Sequence, residues 1–122
     1  MRTLVVDDSP AFLDVAFDVV SATPGFTSVG AASSALEALE LLLSGEPELV
    51  LVDVHMPRIS GIELTRRIKA LRPATAVALI SADAPDQLPP EVCTCGADVV
   101  LDKRDFGPRR LQALAGRLSS NG

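Results

Sequence analysis

Short aliphatic runs alternate along the chain with longer segments whose apolar residues recur every three or four positions. Leu4-Val5-Val6 reads as a buried strand, and Ser9-Pro10 then supplies a helix N-cap and a first-turn proline. Leu13, Ala16, Phe17 and Val20 follow at helical spacing until Thr23-Pro24-Gly25 stops the helix. Residues 26–32 read as a second strand. Ser34 and Glu37 are spaced as a capping box, with Leu36, Leu39 and Leu43 expected as the buried stripe and Gly45 as the glycine just past the helix end. Residues 49–54 form the third strand, and 61–71 the third helix with Leu64, Ile68 and Leu71 inward. Residues 76–80 form the fourth strand, and Val99-Val100-Leu101 the fifth. A last helix carries Leu111, Leu114 and Leu118. The fourth helix is cut short in advance. Pro89-Pro90 forbids a start before about residue 90, and Gly96 closes it after little more than one turn.

Five strand-then-helix units with nearly continuous aliphatic strands imply an α/β fold, a parallel sheet covered on both faces. At 122 residues the chain makes one domain, and an apolar fraction of 48% excludes disorder. The net charge of -5 argues against direct contact with nucleic acid or an anionic membrane. No apolar run is long enough to span a bilayer and the N-terminus lacks the shape of a signal peptide, so a cytoplasmic location is expected. Cys93 and Cys95 stand too close for a relaxed disulfide and read as small packed thiols, buried or half-buried. His55, the only histidine, has no companions for a metal cluster or a catalytic triad.

Chemistry gathers at one edge. In an open parallel sheet, ligands bind beyond the carboxyl ends of the strands. Asp7 and Asp8 follow the first strand, Asp53 lies at the end of the third, Ser81 ends the fourth and Lys103 follows the fifth. Each alone could be an ordinary cap or a solvated side chain; their convergence points to a site. Three neighbouring carboxylates repel unless a cation sits among them. An all-oxygen set suits a hard divalent ion such as Mg²⁺ better than zinc. Lys103 adds a fixed positive charge.

The stretches VVDD (5–8), VDVHMPRISGIEL (52–64), ISA (80–82) and GADVVLDK (96–103) resemble the receiver domain of bacterial two-component response regulators, in order and at ordinary spacing over essentially the entire chain. The resemblance implies a flavodoxin-like sheet with strand order 2-1-3-4-5. Asp53 would be the phosphoacceptor, taking a phosphoryl group from a sensor histidine kinase or a phosphotransfer protein. Asp8 would ligate Mg²⁺ directly and Asp7 through water, with the backbone carbonyl of His55 as a further ligand. Ser81 and Lys103 would contact the phosphoryl group. Residues 1–118 would form the receiver and 119–122 a tail or the start of a linker. Output would be read on the fourth helix, fifth strand and fifth helix, often by homodimerisation. The domain would be no enzyme beyond assisting its own phosphorylation and dephosphorylation.

Two positions depart from that pattern. Val100 stands where an aromatic residue is usual, and Arg104 follows Lys103 where proline with a cis peptide is usual. Without proline a cis bond costs about 3 kcal/mol, so a trans peptide and a differently aimed lysine are expected. These departures keep open an alternative, a pseudo-receiver acting as a constitutive interaction or dimerisation module. An aspartyl phosphatase is disfavoured by His55 in place of a second acid and by the lack of a cap domain; a flavin binder is disfavoured by the absence of Trp and Tyr. Residues 24–39 further resemble receivers that precede a helix-turn-helix domain, so the chain reads either as a stand-alone receiver or as the N-terminal part of a transcriptional regulator.

Overall fold

The computed structural model of the chain describes residues 1–120. Strands β1 (Arg2–Val6), β2 (Thr27–Ala32), β3 (Leu49–Asp53), β4 (Ala76–Ser81) and β5 (Val99–Asp102) pair in parallel in the order β2-β1-β3-β4-β5. That is the order the sequence resemblance implied. All residues of central β3 are buried, because helices cover both faces of the sheet. Alternate side chains serve opposite cores. Val50 and Val52 pack with Ala38 and Leu42 of α2 (Ala35–Gly45) and with Leu64 and Ile68 of α3 (Gly61–Leu71). Leu49 and Leu51 pack with Ala16 and Val20 of α1 (Pro10–Ala22) and with Leu111 and Leu114 of α4 (Pro108–Ser120).

The two expected caps form, and Ser60 adds a third. Ser9 Oγ accepts the Phe12 N–H at 3.4 Å, Ser34 Oγ that of Glu37 at 3.2 Å, and Ser60 Oγ that of Glu63 at 3.2 Å. The Glu37 carboxylate reaches back to the N–H of Ser33 rather than of Ser34.

Several side chains lie elsewhere than periodicity placed them. On α2 the buried line is Ala35, Ala38 and Leu42, while Leu36 and Leu43 are exposed. Phe17 and Leu71 are exposed as well. Helix α2 runs through Gly45, and Glu46 takes the left-handed conformation (φ 45°) that was expected of the glycine. Cys95 is buried, whereas Cys93 is an exposed free thiol. The fourth helix is not an α-helix: two single 3-10 turns, Pro85–Gln87 and Pro90–Cys93, occupy its place, the second starting where the paired prolines allow. The fifth expected helix is therefore α4. It continues through Ser120, and Asn121 and Gly122 of the expected tail lie outside the described residues. Among the described residues, no helix is long and apolar enough to cross a membrane.

Candidate functional site

Four of the five strands, β1, β3, β4 and β5, deliver polar residues to the same edge. Asp7 leaves β1 with its N–H bonded to the Ala32 carbonyl of β2 at 3.0 Å, and its Oδ1 accepts the Ser9 N–H at 2.8 Å, turning the chain into α1. This side chain is fully buried, while Asp8 beside it is exposed. Asp53 ends β3 and is 7% exposed. The loop that follows is anchored by the Val54 N–H on the Ile80 carbonyl (3.0 Å) and by the Gly61 N–H on the Val54 carbonyl (2.9 Å). That second contact requires glycine: a Cβ at position 61 would lie 2.0 Å from the Asp53 carbonyl oxygen. Within the loop, the Ile59 N–H bonds the Pro57 carbonyl at 2.8 Å around Arg58 at φ 69°, a tight and strained turn beside the site.

Ser81, at the end of β4, is buried, and its Oγ accepts the Asp83 N–H at 3.0 Å. Lys103 opens a 3-10 turn after β5 (Lys103–Asp105) that is capped by the Asp102 carboxylate. Its ammonium lies 2.6 Å from Asp7 Oδ2 and 3.6 Å from Asp53 Oδ1. No cis peptide occurs among the described residues, so Lys103–Arg104 is trans as expected, yet the lysine reaches the acids.

One oxygen each of Asp7, Asp8 and Asp53 fall within 4.8 Å of one another. Burial pushes the Asp53 carboxyl above its ordinary pKa and Asp7 adds to the rise; Lys103 and the His55 N–H oppose it, and Asp8 raises it least. Asp7 Oδ2 is buried, and its partner among the described residues is the Lys103 ammonium at 2.6 Å. Among the described residues, the Lys103 ammonium is thus the counter-charge that reaches this group of three carboxylates, bonding Asp7 and lying near Asp53. This all-oxygen donor set fits a hard divalent cation such as Mg²⁺.

Other groups at the site escape a motif reading. The imidazole of His55 pairs with Asp83 (Nε2 to Oδ2, 2.6 Å), joining the loop after β3 to the loop after β4. The Lys103 ammonium lies 4.5 Å from the ring centroid of Phe12, which packs on Phe106 at 5.6 Å. The available signal was scarcity. The chain has four Phe, and two of them stand four residues after Asp8 and three after Lys103.

The family model of the response regulator receiver domain matches residues 3–115. A Pseudomonas aeruginosa protein named as a transcriptional regulator is 34% identical over 104 residues, covering 85% of this chain and 50% of that protein. A protein-glutamate methylesterase/protein-glutamine glutaminase of Myxococcus xanthus is 38% identical over 109 residues, covering 88% of this chain and 31% of that protein. The chain thus spans half or less of the length of these two relatives. The crystal structure of the response regulator TrrA from Thermotoga maritima, in complex with Mg²⁺-BeF, superimposes with a TM-score of 0.81 at 27% identity, covering 96% of this chain and 97% of that one. Sequence motifs, strand order and the acidic edge agree with these matches: the chain belongs to the response regulator receiver domain family.

Proposed function

We propose that this receiver is a phosphorylation switch in which Asp53 is the acceptor, with Mg²⁺ as cofactor and a sensor histidine kinase or phosphotransfer protein as donor. The observation that carries the reading is the placement of Asp53. It is nearly buried at the end of β3, with two further carboxylates in reach and the Lys103 ammonium 3.6 Å away. An Asp53 carboxylate oxygen attacks phosphorus in line; the P–N bond to the donor imidazole breaks, and the imidazole leaves with the bonding pair. Lys103 turns from Asp7 toward the charge developing on the phosphoryl oxygens. Ser81 Oγ accepts from the Asp83 N–H, so its own proton is free to be donated to a phosphoryl oxygen. Asp8, Asp53 and the His55 carbonyl would hold Mg²⁺ directly and Asp7 through water. The ion supplies neutralisation of the phosphoryl charge.

The Pseudomonas aeruginosa relative, named as a transcriptional regulator and matched over half its length, supports a role as part of such a regulator. The output surface would combine residues 82–96, β5 and α4, and dimerisation is one way it is read.

The test uses a small acyl phosphate as phosphodonor, with Mg²⁺. Mass spectrometry should find a phosphoryl adduct on the wild-type protein, lost in Asp53→Asn and on removal of Mg²⁺ by chelator. No adduct on wild type, or an adduct that survives Asp53→Asn, would leave the pseudo-receiver as the better reading.

A further inference from the structure

Lys103 has a long flexible stem, and the residue after it does nothing to fix the backbone by ring closure. Its aim must come from elsewhere, and two devices are visible. The first is the Asp102–Arg104 clasp. Asp102 Oδ1 accepts the Arg104 N–H at 2.9 Å, and the guanidinium grips the same carboxylate at 2.5 to 3.1 Å. This clasp holds the Asp102 pKa down to about 2, and it closes the turn that carries the lysine.

The second device is aromatic. The ammonium faces the ring of Phe12, in the first turn of α1, at 4.5 Å from its centroid. Phe12 is backed by Phe106, whose ring is tilted by 52° against it, and both are half-buried. The Phe106 N–H bonds the Lys103 carbonyl at 3.3 Å, so the supporting ring and the lysine belong to one turn. The ammonium thus has the ring face of Phe12 within 4.5 Å and the carboxylates of Asp7 and Asp53 at 2.6 and 3.6 Å. Its stem is only 20% exposed, which keeps the attraction to the ring from being screened by water.

We infer that Phe12, supported by Phe106, is the positioning residue that aims Lys103 at the phosphoryl site, in place of a cis proline peptide. This rests on the reading of Asp53 as the acceptor. When charge leaves the carboxylates for the phosphoryl oxygens, the ammonium keeps one partner, the ring, throughout its short turn. Phe12 touches no reacting atom and acts through the lysine.

Phe12→Leu keeps apolar volume and removes the ring face; Phe12→Tyr keeps the face. In the metal-free wild-type domain, the Lys103 ε-methylene NMR signals, assigned by their loss in Lys103→Arg, should lie upfield from the ring current. They should return to ordinary positions in Phe12→Leu and stay upfield in Phe12→Tyr. The rate of phosphorylation by an acyl phosphate should fall roughly tenfold in Phe12→Leu and recover in Phe12→Tyr. Mg²⁺ affinity should stay within about twofold. Should Phe12→Leu fail to fold, Phe106→Leu must show the same change of signal with a smaller loss of rate. Ordinary shifts in wild type, full phosphorylation in Phe12→Leu, or no recovery in Phe12→Tyr would each overturn the inference. Upfield signals in a wild-type protein that accepts no phosphoryl group would instead bring down the reading of Asp53, and the positioning role with it.

Discussion

Asp53 is a carboxylate held where ionisation is costly. Burial and then Asp7 raise its pKa, so the folded domain binds that proton more tightly than the unfolded chain does. The resulting penalty is absent below the unfolded carboxylate pKa. It grows as pH rises through the carboxylate range and is fully present above the folded pKa. In metal-free buffer at about pH 7, Asp53→Asn should therefore unfold at higher urea than wild type, and the gap should close on acidification below about pH 4. Mg²⁺ should narrow it from the other side by stabilising wild type. A mutant less stable than wild type at neutral pH would contradict this account of the site. Gly61 tests the backbone in the same way. A methyl group there would lie 2.0 Å from the Asp53 carbonyl oxygen, an atom with no flexible end to give way. Gly61→Ala should cost about 1–3 kcal/mol in urea unfolding and slow phosphorylation together, because the relieved clash displaces Asp53 itself.

At the scale of elements, α2 separates what periodicity reveals from what it hides. Its leucines at 36, 39, 41, 42 and 43 populate more than one line of the helix, so spacing establishes a helix without its rotation. Ala35 and Ala38 are small enough to lie against the sheet, and they set the rotation that buries Leu42 and leaves Leu36 and Leu43 outside. Leu42→Ala should cost about 2–5 kcal/mol, whereas Leu36→Ala and Leu43→Ala should stay within about 0.5 kcal/mol in chemical denaturation. Comparable losses at all three would restore the stripe read from spacing. Strands and the caps at Ser9 and Ser34 were legible because they depend on local chemistry, whereas the strand order came with the family resemblance. The convergence of the acids, Ser81 and Lys103 on one edge was legible because four strands each end beside one or two of them. Phe12, Phe106 and Asp83 were not. Their importance comes from meetings between α1, the turn after β5 and the loops after β3 and β4, which no single segment announces.

For the whole molecule, the weakly structured segment 82–96 is where a change at Asp53 can be passed on. Its regular structure amounts to two 3-10 turns, held to the core chiefly by Val92 and Cys95. It is tied to the site at two points, the Asp83 N–H on Ser81 Oγ and the Asp83 carboxylate on His55. The second tie is exposed and is worth about 1 kcal/mol or less, so it restrains the loop without locking it. An open pocket of about 340 Å³, bordered by Ser81, Asp83, Leu88 and Val100, adjoins the loop. Val100 is too small to act as an aromatic relay, and the pocket leaves the loop itself room to move. On the proposed reading, a phosphoryl group that drew the Ser81 hydroxyl toward it would remove the acceptor of the Asp83 N–H, and residues 82–90 would then shift inward as a segment. Amide hydrogen exchange across 82–96 should slow when beryllofluoride and Mg²⁺ are bound, while α2 on the far side of the sheet order barely responds. Asp83→Ala, which cuts the tie to His55, should speed exchange in the same segment before the mimic is added and narrow the difference that the mimic makes by less than half. Unchanged exchange across 82–96 with the mimic demonstrably bound would show that the signal leaves Asp53 by another route.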